Sequence, residues 1–122
     1  IEFDIAHDSL FVMKNRKGEI IAAISIDHDE EADKLDCWSK DFQPSAEVAR
    51  VCVRKDLQGQ GIAKMMMEHV FAVLREQNKK SVHILVRDNH KVALKCYSDL
   101  GFVLVGECEL FEKHFVCMEK KL

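Results

Sequence analysis

Gln58-Gly59-Gln60-Gly61-Ile62-Ala63-Lys64 lies between an alternating apolar segment and a long helical pattern. Glycines let a backbone turn sharply and approach a ligand closely. The first amides of a helix lack intrahelical acceptors and carry partial positive charge. A turn of this kind suits a pyrophosphate. A P-loop would need Lys-Ser or Lys-Thr directly after Gly61, and neither is there. A dinucleotide fingerprint would need a third glycine where Lys64 stands. What remains is a coenzyme-type turn or a plain glycine turn at a helix start.

The other reactive residue types are more scattered. The cysteines are Cys37, Cys52, Cys96, Cys108 and Cys117, odd in number and without a C-x-x-C pair. They read as reduced thiols of a cytoplasmic protein. The histidines are dispersed as well, so no metal cluster stands out and no metal is expected.

Several elements must position these residues. Leu10 to Met13 and Ile20 to Ile26 are short β-type runs about Asn15-Arg16-Lys17-Gly18, which reads as a hairpin. Asp27 to Asp36 is acidic and aperiodic. It reads as a solvated loop, or else as a collar that attracts a cationic amine. Trp38 reads as a packing anchor rather than a substrate wall. Glu47 to Val53 alternates as a strand. Gly61 to Gln77 carries apolar rows at 62, 66, 70, 74 and at 63, 67, 71, two neighbouring ridges of one helix face. Ser81 to Val86 is a strand. His90 to Leu100 is a helix, with Gly101 at the left-handed cap position. Phe102 to Val105 and His114 to Met118 are the last strands, joined across Glu107 to Lys113. The order is β-β-β-α-β-α-β-β. It implies an α+β domain over 1–122: a mixed, mostly antiparallel sheet, a central βαβ unit and two main helices.

Two motifs flank the glycine turn. Upstream stands Val51-Cys52-Val53-Arg54-Lys55-Asp56-Leu57, and downstream Ala93-x-x-x-Tyr97-x-x-x-Gly101-Phe102. With Gln58, Gly61 and Ala63, this resembles the GNAT superfamily of N-acetyltransferases. That family carries Gln/Arg-x-x-Gly-x-Gly/Ala after a strand. It also carries a later helix of the form Asn-x-x-Ala-x-x-x-Tyr-x-x-x-Gly-Phe. The resemblance covers Glu47 to Phe102 closely and the last strands loosely. The family's Asn falls on His90, with Asn89 one residue earlier. Val86-Arg87 is similar to the ribosomal-protein N-terminal acetyltransferases, which place a Glu two residues before that Arg; Leu85 stands here, so that mechanism is not carried over.

The resemblance implies acetyl-CoA as co-substrate and direct transfer of its acetyl group to a primary amine. Residues Gln58, Gly59, Gln60, Gly61, Ile62, Ala63 and Lys64 would hold the pyrophosphate. Val51, Cys52 and Val53 would bind pantetheine on a strand splayed from its neighbour and help stabilise the oxyanion. Asn89, His90 and Ala93 would hold the pantetheine arm. Tyr97 would protonate the leaving thiolate, and Glu47 would serve as base. His83, on the next strand, and bulk water are alternative proton acceptors. An acetyl-Cys52 intermediate is disfavoured, because Cys52 has no base partner in sequence. The alternative function is a non-catalytic acyl-CoA binding or sensing module.

The chain has 122 residues and a formal net charge of -3. The length suits one domain without disulfide staples. The charge argues against nucleic-acid binding, and no apolar run approaches the ~20 residues of a membrane span. Residue 1 is Ile rather than Met, so the chain reads as processed, tagged or truncated. The strand and helices with which this family usually begins are not visible before the first hairpin. A complete chain would take its acceptor wall from the loop at 27–44 or from a second copy in a homodimer. The acceptor, a small-molecule amine or a peptide or protein amine, is left open.

Overall fold

The structure is a computed structural model and describes residues 2–7, 10–27 and 30–122. Seven strands and three helices lie among the described residues. They are β1 (Glu2–His7), β2 (Leu10–Lys14), β3 (Ile20–Asp27), α1 (Glu30–Asp33), β4 (Ser45–Val53), α2 (Ile62–Glu76), β5 (Ser81–Arg87), α3 (Lys91–Asp99), β6 (Val103–Leu110) and β7 (Lys113–Lys121). Short 3₁₀ turns occupy Lys40–Phe42 and Lys55–Leu57. The mixed α+β class expected from the sequence holds. Two elements were not expected, β1 and the four-residue α1. The chain divides into two compact units, Ile1–Asp27 with Val48–Gln77, and His28–Glu47 with Asn78–Leu122.

In the first unit the strand order is β1-β2-β3-β4. β1 pairs antiparallel with β2 from Glu2↔Lys14 to His7↔Leu10, and β2 with β3 from Leu10↔Ser25 to Lys14↔Ile20. Helix α2 begins at Ile62 as the apolar rows require. It buries Met66, Met67, Val70, Phe71 and Leu74. The unbranched methionines fill irregular gaps at low steric cost, and both are fully buried along with Phe11, Met13 and Ile24. The ring of Phe3 on β1 stacks on His69 of α2, centroids 4.2 Å apart and 15° from parallel.

In the second unit the strand order is β4-β5-β7-β6. β4 pairs parallel with β5 at Ser45↔Ser81, Ala46↔Val82 and Glu47↔His83, as a βαβ connection demands. The remaining ladders, β5–β7 and β6–β7, are antiparallel. The joint expected across Glu107 to Lys113 is much tighter than that. β6 runs on to Leu110, which pairs with Lys113. Only Phe111 and Glu112 turn, both left-handed at φ 54° and 60°. A two-residue turn of this hand matches the twist of the flanking strands.

The segment 30–44 is laced down rather than freely solvated. Ala32 is fully buried, and Trp38 Nε1 donates to its carbonyl at 2.7 Å. Ser39 donates to the buried carboxylate of Glu119 on β7 twice, from its amide at 2.9 Å to Oε2 and from its hydroxyl to Oε1. Cys37 sits against Gly106 of β6. A β-carbon at 106 would lie 2.8 Å from that of Cys37. All five cysteines are unbridged. Cys117 is fully buried with its sulfur 3.9 Å from that of Cys108, and burial pushes its thiol well up. No helix among the described residues is long and apolar enough to cross a membrane.

Candidate active site

The glycine turn lies in the first unit, between β4 and α2. Val51 and Val53 are half-buried on β4 and Cys52 is exposed. Arg54 then donates its amide to Ile21 at 2.8 Å, and its guanidinium grips Asp56 at 2.7 and 3.1 Å. These bonds fix the exit of the strand. Gln58 folds back, its Nε2 donating to the Val53 carbonyl at 3.1 Å. Gly59 and Gly61 are both left-handed, at φ 82° and 79°. That conformation strains any residue with a β-carbon. A β-carbon at either position would meet nothing within 4 Å, so the turn opens on space. Gly61 is the N-cap of α2 and makes no side-chain cap to the helix. The amides of Ile62, Ala63 and Lys64 therefore begin the helix next to an open, exposed turn. Gln60 is exposed within it.

The second unit carries the later motif on α3. His90 is its N-cap, with Nδ1 accepting from the Ala93 amide at 3.2 Å. One ring nitrogen at the family's Asn position is thus committed to the helix. Asn89 is exposed in the preceding turn, and Ala93 is half-buried. At the other end the amide of Gly101 donates to Ser98 and that of Phe102 to Tyr97, both at 3.0 Å, with Gly101 at φ 98°. This is a Schellman termination. Tyr97 is buried at that terminus. Burial, with a smaller contribution from Cys96, pushes its hydroxyl up to about 12. It therefore keeps its proton at neutral pH.

Glu47 and His83 face each other across the last pair of the parallel ladder. They are 6% and 4% exposed. His83 Nδ1 lies 2.7 Å from Ser45 Oγ, and its Nε2 lies 3.3 Å from Asp33 Oδ1 on α1. Trp38 covers the imidazole with ring centroids 4.5 Å apart. Asp33, Trp38, Ser45 and His83 line a cavity of about 560 Å³, together with Asp36, Pro44 and Lys79 among others. Trp38 is thus both a packing anchor and a cavity wall. Asp33 and Ser45 were not singled out in the sequence. They lie far from His83 along the chain, and only the fold gathers them.

No curated protein matches the chain. Among solved structures, Ard1 from Thermoplasma volcanium is 19% identical, with 94% of this chain and 71% of that one covered at a TM-score of 0.74. The ribosomal-protein-S18-alanine N-acetyltransferase from Escherichia coli is 16% identical, covering 92% and 67% at 0.71. A GNAT family acetyltransferase from Elizabethkingia anophelis, solved with acetyl-CoA bound, is 16% identical, covering 93% and 75% at 0.70. At these identities the likeness shows a shared fold. The family model described as "Acetyltransferase (GNAT) family" matches residues 1–102, from the first strand through the glycine turn to Phe102. The chain belongs to the acetyltransferase (GNAT) family.

Proposed function

We propose that this protein transfers the acetyl group of acetyl-CoA to a primary amine of a small molecule, peptide or protein. The observation that carries the reading is the glycine turn. Two left-handed glycines open on space beside the N-terminus of α2, where backbone amides suit a diphosphate. Gln58 to Lys64 would take the pyrophosphate. Val51, Cys52 and Val53 would run along pantetheine, and Asn89, His90 and Ala93 would hold its arm.

The amine must lose a proton, attack the thioester carbonyl and pass through a tetrahedral oxyanion. Glu47, a buried carboxylate at the end of the parallel ladder, would accept that proton. The C–S bond then breaks, and the departing thiolate takes a proton from the Tyr97 hydroxyl. A tyrosine hydroxyl at this motif position is a proton source for that step, and its presence favours catalysis over a non-catalytic acyl-CoA sensor. The bound state of the family member from Elizabethkingia anophelis supports acetyl-CoA as the donor.

The test is a melting curve with coenzyme A, followed by a panel of amines with acetyl-CoA and detection of released thiol. Stabilisation by coenzyme A and amine-dependent thiol release are expected. A melting temperature indifferent to coenzyme A would remove the reading. Stabilisation without turnover of any amine would leave the sensor in its place.

A further inference from the structure

Three side chains from three separate segments of the second unit turn toward one point. A ring nitrogen of His83 (β5), a carboxylate oxygen of Glu47 (β4) and one of Asp33 (α1) all lie within 4.8 Å of one another. We propose that Asp33, Glu47 and His83 form a binding site for a divalent transition-metal cation of the zinc class.

Distance, chemistry and support argue for it together. Ligand atoms about 2.1 Å from a tetrahedral zinc ion lie roughly 3.4 Å from each other. His83 Nε2 and Asp33 Oδ1 are 3.3 Å apart. One imidazole with two carboxylates suits zinc or cobalt, whereas magnesium prefers an all-oxygen set and cuprous ion prefers sulfur. The two carboxylates balance a divalent charge, which matters where Glu47 and His83 are almost fully buried. A histidine that ligates through one nitrogen is normally oriented by a hydrogen bond at the other. Ser45 Oγ stands 2.7 Å from His83 Nδ1, and Trp38 fixes the ring plane from the side. The cavity lined by Asp33, Ser45 and His83 gives the ion a way in and room for a water as fourth ligand.

Ion binding here does not depend on acetyl transfer. If Glu47 is also the base of that reaction, cation and proton compete for one carboxylate, and an occupied site is an inactive enzyme.

The experiment is titration of the full, chelator-treated chain with cobalt(II), read by visible absorption and calorimetry without acetyl-CoA or amine. One equivalent is expected to bind, with ligand-field bands and no thiolate charge-transfer band. Asp33→Asn and His83→Gln each weaken binding about tenfold or more, and His114→Gln, on the β6–β7 hairpin, leaves it unchanged. Asp33 is exposed on α1, so D33N decides the matter if the buried His83 variant does not fold. Absence of stoichiometric binding, thiolate bands that put cobalt on cysteines, or affinity unchanged in D33N would each overturn the site. Because no substrate is present, failure here is distinct from failure of the acetyltransferase reading.

Discussion

The ring of Phe102 stands edge-on to that of Tyr97, with centroids 5.7 Å apart and planes at 61°. The two residues are also joined through the backbone, Phe102 N donating to the Tyr97 carbonyl at 3.0 Å. The termination of α3 and the placement of its one phenol are therefore a single structural event. Hydrophobic contact between these two positions is the usual partner of a Schellman turn. It also covers one side of the Tyr97 ring, which is removed from water.

That removal sets a titration. A free tyrosine ionises near 10, and Tyr97 is held up to about 12 by burial. Its folded-state value is raised, so the stability it contributes is complete below pH ~10. That contribution is lost as pH climbs from there toward about 12. The chain contains one tyrosine, so tyrosinate absorbance in the ultraviolet reads it alone. The phenolate signal should rise near the raised value, and Tyr97→Phe should flatten the alkaline fall in stability. If Tyr97 also donates to the thiolate, this variant loses about 10²-fold or more in kcat while keeping its affinity for acetyl-CoA.

Glu47→Gln removes the proposed base and keeps the side-chain volume. Turnover near neutral pH should fall by about 10²- to 10⁴-fold, and the acid limb of the pH–rate profile should vanish. Acetyl-CoA binding measured by calorimetry should not change. A variant with the wild-type profile would hand the role to His83 or to water.

Gly101→Ala tests the turn itself. A left-handed residue with a β-carbon costs about 1–2 kcal/mol. The new methyl would also press within 2.8 Å of Lys120 Nζ, the mobile end of a long side chain. Denaturant unfolding should show a loss of about that size, with the near-ultraviolet signal of Tyr97 altered.

Ser39→Ala tests the lacing of the segment before β4. It deletes the hydroxyl bond to the buried Glu119 carboxylate and keeps the amide bond. Hydrogen bonds to charged groups are worth about 1.5–3 kcal/mol, and unfolding should register a loss in that range. Glu119→Gln in the same background should recover part of it, because a neutral amide is less costly to bury.

Local chemistry was legible in the sequence and long-range pairing was not. The ridges of α2 and the cap at Gly101 follow from periodicity and from the one residue that tolerates φ 98°. The glycine turn was legible for the same reason. β1 was not, because the alternation of Glu2-Phe3-Asp4-Ile5 is short and ends at Ala6, and the segment is extended by pairing with β2. The full length of β6 was hidden too. Its ladder reaches Leu110 because Phe111 and Glu112 turn left-handed without a glycine, which no simple turn rule anticipates. Glu47 was singled out for its place on a strand. His83 was named beside it, on the next strand of the βαβ unit, whereas Asp33 comes from a segment that only the tertiary fold brings near.

Gly106 is defined by what it lacks. The volume a side chain would fill there is taken by Cys37, one residue before Trp38. Any larger residue at 106 would force Cys37 to shift, and Cys37 is joined directly to Trp38, which lines the cavity. The edge strand thus makes room, through an omission, for the segment that carries the cavity's indole wall.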